Sequence, residues 1–278
     1  MISPFRNDLL KDHKILITGG GSGLGKSLAL GFATLGASVA ICGRRRDVLE
    51  ETAAELNKIG GTHFFDTCDV RKPDEVARVV DGAFSSLGQL TGLINNAAGN
   101  FVCPTEALSA NAFNAVVGIV LNGTFHCTQA VAKHWIEKKQ AGSVINICTT
   151  YAWTGSALVV PSVCAKAGVL AMTRSLAVEW GRHNIRLNAI APGPFKTEGA
   201  WKNLMPAGFE KFLVDKNPMK RLGTHEELVT LAALLLSGSV NYINGDCITI
   251  DGGEWLQGAG QFNGLLTVPP EQLEQLKR

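Results

Sequence analysis

Apolar and polar positions alternate along the chain in two rhythms. Short apolar blocks rich in Ile, Val, Leu and Ala are followed by longer stretches in which apolar residues recur every three to four positions. The blocks predict strands at residues 14–18, 38–42, 63–68, 90–95, 143–148, 186–191 and 247–251. The periodic stretches predict helices at 25–35, 46–59, 72–87, 111–139, 162–183 and 226–236. Gly36 and the pair Gly60-Gly61 close the first two helices. Strands alternating with helices build right-handed βαβ units and a parallel sheet. The expected fold is therefore α/β, a doubly wound seven-stranded parallel sheet in one domain over residues 1–278, with an extension from about residue 254. Residues 192–223 break the rhythm. They carry Phe195, Trp201, Leu204, Met205, Phe209 and Phe212. An apolar insertion at the carboxyl end of a strand is where open α/β sheets bind ligands, so this segment reads as a lid. A helical hairpin packed on the core is the alternative.

Composition narrows the classes. A charged fraction of 18% suits strands covered on both faces, and a net charge of +2 points to no polyanion, so no nucleic acid is expected. The seven cysteines form no C-x-x-C pair and the six histidines show no ligand spacing, so no metal site is expected. The first 13 residues lack a signal-peptide core, no segment reads as a membrane span, and the chain ends in Lys277-Arg278. A cytoplasmic enzyme is the expectation.

Two features carry cofactor chemistry. Thr18-Gly19-Gly20-Gly21-Ser22-Gly23-Leu24-Gly25 joins the first strand to its helix. Glycines there allow a tight turn and close backbone approach, while the helix N-terminus offers N–H groups to a pyrophosphate. A flexible glycine loop is the bland alternative, which the strand before and helix after disfavour. At the end of the second strand stand Gly43-Arg44-Arg45-Arg46 in place of an acidic residue. Guanidinium groups clamp a ribose 2′-phosphate, and a carboxylate would repel it, so Arg44 and Arg45 point to NADP(H).

With Asp69-Val70 after the third strand, Asn95-Asn96-Ala97-Ala98-Gly99 after the fourth and Pro192-Gly193 after the sixth, the chain resembles the short-chain dehydrogenase/reductase family over about residues 12–253. The resemblance implies a Rossmann fold with Asp69 and Val70 on adenine, and Asn96 and Ala97 beside the ribose. It also implies Pro192, Gly193 and Phe195 along the pyrophosphate and carboxamide. The family's catalytic element is Tyr-x-x-x-Lys. Lys166 is present, but Ser162 occupies the tyrosine position, and Tyr151 directly follows the fifth strand.

That rearrangement resembles the short-chain-type 2,4-dienoyl-CoA reductases. So do Asn100-Phe101, Val160-Pro161-Ser162, Lys196-Thr197 with Gly199-Ala200, Arg221-Leu222-Gly223 and Gly260-Gln261-Phe262-Asn263. Cys164 and Lys202-Asn203 depart from the pattern. The resemblance implies NADPH-dependent reduction of a 2,4-dienoyl-CoA thioester to a 3-enoyl-CoA in fatty acid oxidation. Hydride adds at C5, and Asn100 and Tyr151 stabilise the oxyanion. Lys166 holds the nicotinamide ribose, with Ser162 bonded to the lysine or cofactor. Arg71 meets a CoA phosphate or is a surface charge starting the next helix, Phe101 and Ser109 line the thioester end, and Asn122 bridges backbone and lysine through water or acts directly. A homotetramer is also implied. Two alternatives stay open: another NADP(H) reductase acting on an enoyl-CoA or carbonyl, and an NADP(H)-binding module without turnover.

Overall fold

The computed structural model describes residues 6–199, 201, 206 and 208–274. The expected Leu204 and Met205 of the lid lie outside the described residues, as do Ala200 and Lys202-Asn203.

Seven strands form one parallel sheet: β1 (Lys14–Thr18), β2 (Ser38–Gly43), β3 (His63–Thr67), β4 (Gly92–Asn95), β5 (Gly142–Ile147), β6 (Ile185–Pro192) and β7 (Cys247–Ile250). Their order is β3-β2-β1-β4-β5-β6-β7. Ile15 of β1 pairs with Val39 on one side and Gly92 on the other. The chain thus runs outward from β1 through β2 and β3, then returns to start the second half at β4. The order reverses between β1 and β4, and open α/β sheets bind ligands at the carboxyl ends of such a pair.

Both faces are covered, which is why the strands read as near-continuous apolar runs. On one face pack α1 (Gly23–Thr34), α2 (Arg46–Ile59) and, late in the chain, the helix His225–Leu236. Leu28, Phe32, Leu49, Leu56, Leu228 and Leu235 join Ile15, Ile17 and Ile41 there. On the other face lie α3 (Pro73–Leu87), α4 (Ala110–Val117), α5 (Gly123–Glu137) and the long helix Val160–Trp180. Val79, Phe84, Val131 and Trp135 meet Leu16, Leu93 and Val144 on that side.

Several boundaries differ from expectation. The helix expected at 111–139 is α4 and α5 joined by a π-helical turn, Gly118–Asn122. A Cβ on Gly123 would lie 2.5 Å from Val70, so this bend brings the helix against the end of β3. The whole stretch Ala110–Glu137 is long and apolar enough to cross a membrane, contrary to the expectation that no segment reads as a span. Its apolarity has another cause, because Val120, Cys127, Val131 and Trp135 are buried in the protein core. Tyr151 opens a one-turn helix, α6 (Tyr151–Thr154), which no periodicity predicts, ahead of α7 (Val160–Trp180). The lid contains α8 (Phe209–Lys216), followed by α9 (His225–Leu236). The C-terminal extension forms α10 (Glu254–Ala259), a 3-10 turn and α11 (Pro270–Glu274). Asp251 accepts from the backbone of Gly253 and Trp255 at 2.8 and 2.9 Å and so fastens the extension to the end of β7.

Candidate active site

The glycine-rich loop meets the β4 turn at the crossover. Thr18 Oγ1 accepts from the backbone N–H groups of Asn96 and Ala97, both at 3.0 Å. Asn96 Nδ2 donates back to the carbonyls of Thr18 and Gly19, at 3.0 and 3.2 Å. These four bonds staple the two turns together. The glycines are required by space as well as by dihedral. Gly19 has φ +66, and a Cβ on Gly25 would stand 2.2 Å from the Gly19 carbonyl oxygen and 2.5 Å from Asn96 Nδ2. Ser22, Leu24 and Gly21 complete the turn; Ser22 is extended and makes no side-chain cap to α1. The first N–H groups of α1 therefore have no side-chain acceptor from Ser22, which suits an anion at this helix end. A cradle that any Cβ would fill, above such a helix end, fits a dinucleotide.

At the end of β2, Gly43 leaves no carboxylate beside the cradle. Arg45 reaches Ser22 Oγ at 3.5 Å, while Arg44 is exposed and acts electrostatically on Asp69. Asp69 itself is occupied. The Arg71 guanidinium beside it, with the Arg71 backbone N–H and Arg44 assisting, holds its carboxyl down to about 2. Arg71 Nε donates to both Asp69 oxygens at 2.9 and 3.0 Å. The Arg71 side chain, although exposed, thus folds back onto Asp69 and over Gly118 of the π turn. Val70 is buried, as are Phe195, whose ring covers Gly223, and Pro192 at the end of β6; Gly193 packs on Asp251.

Around the β5 end stand Tyr151, Ser162 and Lys166, three of the residues expected to be catalytic. Tyr151 Oη lies 2.9 Å from Ser162 Oγ, joining α6 to the first turn of α7. Burial pushes the Tyr151 hydroxyl above its ordinary range, more than the Ser162 bond offsets, so it stays protonated through neutral pH. One turn on, Lys166 is buried and donates from Nζ to the Ile147 carbonyl. Burial lowers its pKa. Asn100 follows the β4 turn; its Oδ1 accepts from the Phe101 N–H at 3.0 Å, so the amide NH₂ is the end available to a ligand. Ser109 caps α4, accepting from Ala112 N at 3.2 Å, a role that the serine before a helical stretch could have signalled.

Sequence reasoning missed two features. Cys148 is buried beside Lys166, with Sγ 3.6 Å from the Lys166 carbonyl. The neighbouring Cys247 thiol holds the Cys148 thiol below its ordinary range, with Lys166 assisting against the opposing burial. Beneath the site runs a buried polar chain. Asn95 Nδ2 donates to Thr128 Oγ1 and to Asn146 Oδ1, and Asn146 Nδ2 donates to Thr173 Oγ1, all at 2.8 Å. It links α5, β4, β5 and α7. No local pattern announces it, because its members are far apart in sequence.

A cavity of about 460 Å³ opens at the ends of β6 and β7, lined by Phe195, Met219, Leu222, Trp255 and Leu256 among others. It does not include Tyr151, Ser162 or Lys166, but its Trp255 meets Trp153 of α6 edge-on at 5.7 Å. Among the described residues no cluster of metal-ligating side chains occurs.

Residues 13–228 match the family described as short chain dehydrogenase. A probable 2,4-dienoyl-CoA reductase of Bacillus subtilis (strain 168), named as (2E)-enoyl-CoA-producing, is 50% identical over 251 residues, covering 89% of this chain and 98% of its own. A probable 2,4-dienoyl-CoA reductase of Caenorhabditis elegans, named as (3E)-enoyl-CoA-producing, is 42% identical over 255 residues, covering 90% and 82%. Among solved structures, a gluconate 5-dehydrogenase from Burkholderia cenocepacia in complex with NADP and tartrate superposes with a TM-score of 0.84 at 29% identity, covering 90% of this chain and 98% of that one.

Proposed function

The chain belongs to the short chain dehydrogenase family of oxidoreductases, and from that premise we propose that it reduces 2,4-dienoyl-CoA thioesters with NADPH. The observation that carries this reading is the pair Tyr151–Ser162 at 2.9 Å, one helical turn from buried Lys166. A serine stands where the family's tyrosine would, and a tyrosine from a different element brings its hydroxyl to that same serine. Names of relatives support the substrate class, at 50% and 42% identity. Absence of a carboxylate at the end of β2, with Arg44 and Arg45 beside the cradle, supports NADP(H) over NAD(H).

A nicotinamide held by the glycine cradle and Lys166 would supply the hydride for C5 of the conjugated thioester. The chain's own residues stabilise the charge that this creates. Negative charge appears on the thioester oxygen, and preorganised donors stabilise it more than a ready acid would. Tyr151, kept protonated by burial, offers one O–H, and Asn100 offers its amide N–H. Lys166 donates to the Ile147 carbonyl and orients the ribose; Ser162 holds the Tyr151 hydroxyl in line. Phe101 and Ser109 border the thioester end. Arg71 meets a CoA phosphate only by sharing its guanidinium with Asp69, which makes it the least committed group of the set.

Protonation at C2 of the dienolate gives a 3-enoyl-CoA, and at C4 a 2-enoyl-CoA. We assign C2, as in the nematode relative's name; the bacterial relative's name favours C4. An assay with 2,4-hexadienoyl-CoA and a longer homologue, with NADPH loss monitored and the product double bond located by NMR, tests each part. NADPH oxidation without a double-bond shift to C3 overturns the product; no oxidation with any dienoyl-CoA overturns the substrate. A homotetramer in the cytoplasm completes the reading, and sedimentation and fractionation check it.

A further inference from the structure

We infer that His225 is a positioning residue for the dinucleotide, fixing the base of the lid to the first turn of α1 and so setting the cleft that receives the pyrophosphate. The inference rests on the reading of the glycine loop as a dinucleotide cradle. His225 is the first residue of α9 and is half-buried. Its Nδ1 lies 2.6 Å from Ser27 Oγ on α1, and its Nε2 lies 2.8 Å from the carbonyl oxygen of Lys196 at the lid base. Ser27 Oγ in turn lies 3.2 Å from the Gly23 carbonyl. Thr197, next to Lys196, faces Gly23 at this point: a Cβ on Gly23 would lie 3.5 Å from its side chain. Lid base, cofactor helix and α9 are thus tied at one point beside the cradle.

Lys196 O accepts only, so Nε2 carries the hydrogen that bonds it, and Nδ1 and the Ser27 hydroxyl share the other contact. The groups that surround the ring carry both signs. On α9 stands Glu226, whose carboxyl is lowered first by its own backbone N–H and Thr224 and after them by His225. Glu227 of the same helix is bonded to Arg221. The lid brings Lys196, paired with Glu210 at 2.7 Å, and α1 brings Lys26, paired with Glu55 at 2.7 Å.

NADPH titrations of the full-length protein, read by the fluorescence of bound NADPH, test it without any acyl substrate. His225→Ala should raise the NADPH Kd roughly tenfold, from the loss of two bonds near the cradle. His225→Gln, able to keep the bond to Lys196 O, should recover part of that loss, and Ser27→Ala should fall between. Wild-type Kd values in His225→Ala overturn the inference. So does an equal loss in the Ala and Gln variants that tracks an equal drop in Tm, since His225 is then only structural. Failure of the wild type itself to bind NADPH sinks the cradle reading as well, which separates the two.

Discussion

At the residue scale, the displaced tyrosine gives the sharpest test of the proposed chemistry. Tyr151→Phe removes one hydroxyl 2.9 Å from Ser162 and little packing. Loss of one oxyanion donor costs about 2.7–4 kcal/mol, so kcat should drop by about 10²–10³ while NADPH Kd holds. Steady-state kinetics with a dienoyl-CoA check this; an unchanged kcat makes Tyr151 a packing residue. Ser162→Ala should be milder, because the serine only orients. Lys166 poses the opposite balance between stability and function. It is buried, and burial lowers its pKa. A base with a folded pKa below its unfolded value takes its proton less readily in the fold. Below the folded value both states are charged and the fold carries the full desolvation cost. That cost fades as pH rises from the folded value toward the unfolded one near 10.4. Lys166→Met should therefore raise Tm at neutral pH while removing most turnover. A calorimetric scan showing a lower Tm would mean that the bond to the Ile147 carbonyl outweighs desolvation. Asp69 shows the commoner sign: its carboxyl is held at about 2 by Arg71, so its contribution is present above the unfolded value near 3.9 and lost as pH falls through about 2.

At the element scale, turns and caps decide where helices begin. The cradle works because Gly25 has no side chain. Gly25→Ala would drive a methyl to 2.2 Å from the Gly19 carbonyl and into Asn96 Nδ2, which itself bonds Thr18 and Gly19. The expected outcome is loss of NADPH binding with a lowered Tm, seen by the same fluorescence titration; retained binding would show that the staple can shift. At α9 a capping box operates: Thr224 Oγ1 accepts from Glu227 N, and Glu227 accepts from Thr224 N at 2.8 Å. Arg221 also grips Glu227 at 2.8 and 2.6 Å. Thr224→Ala should cost about 1 kcal/mol in denaturant unfolding. Because His225 is the next residue, the same change should weaken NADPH binding slightly, and an effect on stability alone would separate the cap from the lid.

At the scale of the whole molecule, two apolar layers sandwich a sheet whose order reverses at β1 and β4, and one polar chain crosses its middle. Thr128, Asn95, Asn146 and Thr173 are all buried and tie α5 to α7 through two strands. Asn95 Oδ1 has no partner among the described residues, so the chain is already one bond short. Asn146→Ala would strand Asn95 Nδ2 of one bond and Thr173 Oγ1 of its donor. An unsatisfied buried group costs about 1–3 kcal/mol, so unfolding free energy should fall by at least that much. Turnover should drop too, since α7 carries Ser162 and Lys166. A variant as stable as the wild type would show that the chain is filler and not a tie.

Local chemistry was enough to specify the strand and helix rhythm, the cradle and the absence of a carboxylate after β2. Each is written in neighbouring residues: apolar blocks covered on two faces, glycines where a Cβ cannot fit, arginines at one strand end. The replacement of the family's tyrosine by a serine was legible in the same way, because it is a matter of spacing from Lys166. Which distant groups meet depended on packing in three dimensions. Packing brought Tyr151 Oη to Ser162 through a one-turn helix that no periodicity announces. It turned Arg71 back onto Asp69, where two opposite charges two residues apart could satisfy each other. It buried the apolar helix Ala110–Glu137 in a core, since composition gives apolarity without saying what covers it. And it joined Asn95 to Asn146 and His225 to Ser27, contacts across 51 and 198 residues, because side-chain hydrogen bonds between elements arise from how those elements pack and leave no periodic trace in the chain.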